Sequence, residues 1–324
     1  MARNPVIDNL KGLGISLVIL GHLPISKELF KVIYSVHMPL FFFVSGFLFK
    51  TDKNFKNFFR KKYVGIVKPF LTFAFLTYLL HRFFSLITNN KNFSTINEFF
   101  VSLLYGNAFD DHLSWNPPLW FLPCLVTLLI LFYFVEKFQN RIIFLSILLI
   151  FFIGIFLSYQ EILLPWGITT SFMAIPFVGF GFLIKRTGWL DKLLTLKTIF
   201  WIIPLLLFGV CIVYNYGFLN FAVNKFGNIF LSYSGAFLGI LLLLKVSSFI
   251  NSRQLEFIGK NSLFIFAFHI FLNAIVKRGS GLIENKLPVD LLALSMLFIV
   301  IVIFFITLKL LMRNEKLKKL LFIN

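Results

Sequence analysis

Apolar positions run along this chain in long unbroken blocks, at about 10–25, 30–49, 64–88, 117–135, 142–158, 168–184, 198–214, 228–246, 262–276 and 288–312. Each block approaches the ~20 residues a helix needs to cross a bilayer. The blocks are continuously apolar, whereas a barrel strand alternates. Backbone in hydrocarbon must satisfy its own hydrogen bonds, which a helix does within one segment. The pattern therefore predicts an all-α fold: a polytopic transmembrane bundle of about ten spans, forming one membrane-embedded domain over residues 1–324. The first block has the length of a leader but no small-residue cleavage site, and it is read as mature structure. In the longest connection, 89–116, residues Asn92 to Ser102 predict a short interfacial helix with Phe93, Ile96, Phe99, Phe100 and Leu103 on one side.

Composition sharpens this picture. Hydrophobic residues make up 59% of the 324, phenylalanine alone fills 47 positions, and charged residues reach only 14%. A disordered chain is excluded, and too few polar side chains remain to cover a water-soluble globule. The net charge of +18 does not point to nucleic acid, because no basic stretch sits beside a reading module. It points to topology. With the N-terminus placed in the cytoplasm, 23 Lys and Arg fall on the inner side and 8 on the outer. That asymmetry predicts both termini inside, in a multi-pass protein of the cytoplasmic membrane. Cys124 and Cys211 lie within apolar blocks and read as small buried hydrophobes rather than a disulfide or zinc framework.

An ionisable residue inside a span is costly and marks function by default. The first block carries Asp8, Lys11 and His22. At 100° per residue these three share one helical face, with Lys11 and His22 roughly 16 Å apart along the axis. The plainer reading makes Asp8 and Lys11 interfacial anchors and His22 an end cap. The second span carries His37, followed by Pro39, which frees a carbonyl, and by Ser45 and Gly46, which allow close helix contact. The ninth carries His269. Three histidines from three helices fall at similar depth, which points to a polar chamber. They have no i, i+4 spacing and no adjacent carboxylate, so no metal is expected.

Several patches together resemble the acyltransferase-3 family of integral-membrane O-acyltransferases. They are Ile7-Asp-Asn-Leu-Lys-Gly12 followed by Gly21-His22; His37-Met-Pro-Leu-Phe-Phe-Phe-Val-Ser-Gly-Phe-Leu-Phe49; Leu119-Trp-Phe-Leu122; and Leu255-Glu-Phe-Ile-Gly-Lys-Asn-Ser-Leu-Phe-Ile-Phe-Ala-Phe-His269. Within the family the chain looks most similar to sugar O-acetylases of the fucose-acetylase type. The resemblance implies transfer of an acetyl group from acetyl-CoA, a co-substrate rather than a bound cofactor, to a hydroxyl of a surface polysaccharide or lipid-linked sugar. It implies that His22 is the essential histidine and Lys11 its basic partner in donor handling. Many relatives carry arginine at that position; lysine meets a phosphate as a point charge rather than a bidentate fork.

The site expected on this basis has His22 and His37 as catalytic residues and Lys11 with Asp8 at the donor. Trp120, His269, Ser45 and Asn261 line the chamber or meet the acceptor. His22 is the candidate general base, with an acetyl-histidine as the alternative chemistry. Donors to the oxyanion are sought among His37, His269, Ser45, Trp120 and Asn261. The pantetheine arm is expected to run up the face of the first helix from Lys11 to His22. The basic stretch Lys50 to Lys68 either concentrates CoA at the inner face or holds anionic lipid. Gly106 to Pro118 is either an acceptor-binding loop or a connector. The competing classes are a permease or flippase of a lipid-linked sugar, and a non-catalytic partner in an envelope complex.

Overall fold

The computed structural model describes residues 4–88, 94–109, 112–280 and 287–324. Among these it is helical throughout, with no β-strand and a single isolated bridge between Asn220 and Lys225. The helices are α1 Pro5–Gly21, α2 Lys27–Phe47, α3 Phe55–Lys62, α4 Lys68–Ile87, α5 Ile96–Tyr105, α6 Phe121–Val135, α7 Asn140–Tyr159, α8 Ile168–Thr187, α9 Trp189–Thr195, α10 Ile202–Tyr214, α11 Ile229–Phe249, α12 Arg253–Lys260, α13 Ser262–Ser280, α14 Val289–Leu311 and α15 Glu315–Leu320.

Every predicted apolar block contains a helix, but not every block makes a full span. Among the described residues eight helices are long and apolar enough to cross a membrane, or nine if one bent pair counts as a span. That pair is α9 and the segment Thr198–Tyr214, bent by 105°. Within the second segment Thr198–Trp201 forms a 3₁₀ turn, which leaves α10 13 residues long. At 17 residues, α1 reaches about 26 Å, short of the ~30 Å hydrocarbon core. Buried inside the protein on most of its faces, α1 has no need to match the lipid thickness. The multi-pass membrane character stands. Apolar side chains lie exposed along whole helices, such as Phe144, Leu149 and Phe156 on α7 and Leu291, Phe298 and Ile306 on α14. Surfaces of that kind need lipid rather than water around them.

Local sequence explains the element ends. Asn4 caps α1 by accepting from the Val6 N–H, with Pro5 in the first turn. The third block extends N-terminally beyond its predicted start: α3, a π-helical turn Tyr63–Val67 and α4 form one 33-residue rod. The turn is π because Pro69, at the head of α4, has no N–H to offer the preceding turn. The helix in the long connection begins at Ile96, held by a capping box between Thr95 and Glu98. Asn92 and Phe93 lie outside the described residues. Phe99 turns inward while Ile96, Phe100 and Leu104 are exposed, so the predicted single apolar side is in fact split between protein and surroundings.

The chain forms two compact units. The first comprises residues 1–44, 185–220 and 225–324; the second comprises 45–184 and 221–224. In the first unit α1 is the hub, packed against α11, α12, α13 and α14. Its closest neighbour is α12: a Cβ on Gly12 would meet the Leu255 carbonyl, and one on Gly259 would strike the main chain of Asp8 and Gly12. Asn9, fully buried, donates its amide to the Ile250 carbonyl 2.7 Å away and ties α1 to the end of α11. In the second unit Gly46 lies against the Val178 carbonyl, the close helix contact expected of the Ser45-Gly46 pair. An aromatic cluster of Phe49, Phe58, Phe132 and Phe182 fills the space beside it.

Candidate functional site

The first unit brings the three predicted histidines together. α1 ends at Gly21, and His22 follows as its C-cap, its backbone N–H donating to the Ile19 carbonyl at 3.1 Å. From α13, His269 lays its ring against His22, with centroids 5.1 Å apart and planes inclined at 51°. His37, on α2, lies within electrostatic reach of both. An edge-on contact with Tyr34, at 4.7 Å between centroids, holds its ring. The turn before His22 explains how α2 comes so near: Gly21 leaves room for Ile33 and Tyr34.

The three rings differ in access. His269 is 0% exposed and His37 5%, whereas His22 is exposed although protein atoms surround it closely. One side of His22 is thus packed against protein and the other is open. The rings also differ in hydrogen bonding. Nδ1 of His37 lies 2.8 Å from the Ile33 carbonyl, and Nδ1 of His269 lies 2.8 Å from the Phe266 carbonyl. A carbonyl only accepts, so in each ring Nδ1 carries the proton and Nε2 is an acceptor. Neither neutral ring therefore offers a donor to an oxyanion, contrary to the sequence expectation.

Two polar residues at this end of α1 escaped the sequence reading. Asn273, one turn beyond His269 on the same face of α13, donates its amide to the Ile19 carbonyl at 3.0 Å, the same oxygen that receives the His22 N–H. Asp290, at the start of α14, accepts from both the backbone N–H and the hydroxyl of Ser26, each at 2.7 Å. It thereby anchors the short segment that leaves His22. The i, i+4 spacing of His269 and Asn273 was a usable signal; the 264-residue separation of Ser26 and Asp290 gave none.

The other predicted residues are placed as follows. Asp8 and Lys11 pair at 3.9 Å near the opposite end of α1, both largely buried. Between Lys11 and His22, on the face they share, Ile15 and Val18 are 0% and 1% exposed. The partly exposed positions Leu13, Ser16 and Leu17 point elsewhere. The expected open path along that face is therefore closed. Asn261 caps α12 and spends its amide there: Nδ2 donates to the Phe257 carbonyl and Oδ1 accepts from the Asn324 N–H. It stands eight residues, roughly 12 Å, from His269 along α13, and so does not join the histidines. Ser45 and Trp120 belong to the second unit. There Trp120 is buried in a 3₁₀ turn, edge-on to Phe121, and Ser45 stands half-exposed at the end of α2. In the predicted acceptor loop Tyr105 stacks on His112 at 4.5 Å, while Asp110 and Asp111 lie outside the described residues. Among the described residues no group of His, Cys, Asp or Glu is arranged to hold a metal ion.

Comparison with known proteins bears on what this arrangement is for. No curated protein and no solved structure matches the chain. A family model described as an acyltransferase domain matches residues 4–312, which takes in α1 with His22, the α2 histidine, and α12 and α13 up to His269 and beyond. With nearly the whole chain so matched, the protein belongs to the acyltransferase-3 family of membrane acyltransferases.

Proposed function

We propose that this membrane acyltransferase moves an acetyl group from acetyl-CoA to a hydroxyl of a surface polysaccharide or lipid-linked sugar, with His22 as general base. The observation that carries this reading is the accessible His22 ring, held at the end of α1 against a buried second histidine. A hydroxyl is a weak nucleophile at neutral pH, and a neutral imidazole is suited to take its proton. The hydroxyl oxygen attacks the thioester carbonyl as His22 accepts the proton. The tetrahedral intermediate then collapses, the carbon–sulfur bond breaks, and the thiolate leaves with that proton.

The protein is read as lying in the cytoplasmic membrane with both termini inside. Its basic inner surface, Lys50 to Lys68 above all, favours a phosphate-bearing cytoplasmic donor. Lys11 is assigned to a donor phosphate at the inner mouth, steadied by Asp8. Because Ile15 and Val18 seal the face above Lys11, a donor that touches both Lys11 and His22 has to pass beside α1 rather than along that face. The acceptor enters from the outer side, near the loop that follows His22.

Protein reconstituted in lipid and supplied with labelled acetyl-CoA and a panel of glycans tests the reading. Transfer of label to a glycan is expected. Label that never leaves CoA, together with movement of an unmodified solute, would replace the enzyme with a transporter.

A further inference from the structure

His269 carries an acceptor that nothing among the described residues satisfies. Its Nδ1 proton is committed to the Phe266 carbonyl, which makes Nε2 an acceptor, and that Nε2 is fully buried without a hydrogen-bond partner. Leaving a buried acceptor unmet is costly, and such groups call for an explanation. The polar ring packed against that of His269 is His22. Among the described residues His22 is also the one ring of the three with no carbonyl fixing which of its nitrogens holds the proton, since His37 is tied to Ile33. A general base works only when its free nitrogen points at the substrate, and bases of this kind are oriented by a third group.

We propose that His269 is a positioning residue for His22: its buried Nε2 accepts the N–H of the His22 ring, and so leaves the other His22 nitrogen free toward the open side. A centroid separation of 5.1 Å is short enough for an imidazole N–H of one ring to reach a nitrogen of the other once the rings turn toward each other. When His22 takes the hydroxyl proton it holds two N–H groups, one against Nε2 of His269 and one toward the reaction. His269 itself neither gains nor loses a proton. Asn273 completes the arrangement from the same face of α13, since its bond to the Ile19 carbonyl fixes the turn from which His22 projects. The proposal rests on the reading of His22 as base, and one part of its test does not depend on that reading.

That part is nitrogen NMR of the full protein in lipid with ¹⁵N-labelled histidine, in which the His22 signals are identified by their loss in His22→Ala. The wild type is expected to show His22 as one tautomer. His269→Phe, which keeps a ring but has no acceptor, should show a mixture; His269→Met serves where the larger ring disturbs packing. His269→Gln, whose amide oxygen accepts, should restore the single form. In turnover, His269→Phe should lower kcat about a hundredfold while KM for acetyl-CoA stays within about twofold, and His269→Gln should recover to within about tenfold of wild type. An unchanged His22 tautomer in His269→Phe or His269→Met, or wild-type kcat in either, overturns the proposal. Full activity in His22→Ala would instead overturn the base assignment, and the tautomer measurement would still decide the role of His269.

Discussion

Gly259 packs so tightly on the main chain of Asp8 that no methyl group fits between α12 and α1. The contact joins two of the patches that carry the family resemblance and sets the position of the helix that ends at His22. Gly259→Ala must push α1 away, at a cost of about 1–3 kcal/mol. Thermal unfolding in detergent should show the loss, and transfer activity should fall with it. A variant as stable and active as wild type would mean the two helices separate freely.

His22→Ala should remove about 10²- to 10⁴-fold of the transfer rate, the usual contribution of a general base. Its ring is exposed, so the fold should persist and the variant should unfold near the wild-type temperature. Radiolabel transfer measured beside a melting curve separates loss of chemistry from loss of structure.

Lys11 makes a different prediction. Lys11→Ala should raise KM for acetyl-CoA with little change in kcat, and Lys11→Arg should keep wild-type behaviour, because either cation can meet a phosphate. If alanine leaves KM where it was, the donor phosphate lies elsewhere and Lys11 serves only its pairing with Asp8 at 3.9 Å.

Asp290 holds Ser26 through two bonds of 2.7 Å, and with it the segment that follows His22. Asp290→Ala should release this segment and lower kcat roughly ten- to a hundredfold through misplacement of the base. Asp290→Asn keeps an acceptor for the Ser26 N–H and should lose less. Comparing the two in a steady-state assay tests whether the anchor matters.

Lys245 is buried on α11, where its ammonium donates to the carbonyls of Leu194 at 2.6 Å and Leu196 at 2.9 Å, at the end of α9. It stands 4.9 Å from the Phe249 ring centroid. Lys245→Met keeps the stem but leaves those carbonyls unmet, at a cost of about 1.5–3 kcal/mol per charged bond. A lowered melting temperature is expected; an unchanged one would show that the bend after α9 holds without it.

The parts of this structure legible in sequence are those written within about one helix turn or one apolar block. Ten continuous blocks gave ten helical segments, and a histidine at the end of the first, in the second and in the ninth gave three rings in one unit. The parts that stayed hidden depend on partners far along the chain. The face shared by Lys11 and His22 looked open by its spacing, yet Ile15 and Val18 between them are buried, and periodicity does not say which face a neighbour covers. Asn261 looked like a chamber residue beside His269 in sequence; as a helix cap it spends its amide on Phe257 and Asn324. The 105° bend between α9 and Thr198 lies just outside the apolar block 198–214, where hydropathy carries no sign of it.

The central place of α1 also bears on how the protein is made. Along the chain α1 precedes α11, α12, α13 and α14, against which it packs and which all begin at Ile229 or later. At roughly 5–20 residues per second the ribosome needs on the order of 15–60 s to supply all four. During that interval Asp8 lacks the Gly259 contact and Asn9 lacks the Ile250 carbonyl, and a short helix carrying them is a poor occupant of bare lipid. The segment that delivers His22 therefore reaches its packed surroundings only once more than two hundred further residues have been made.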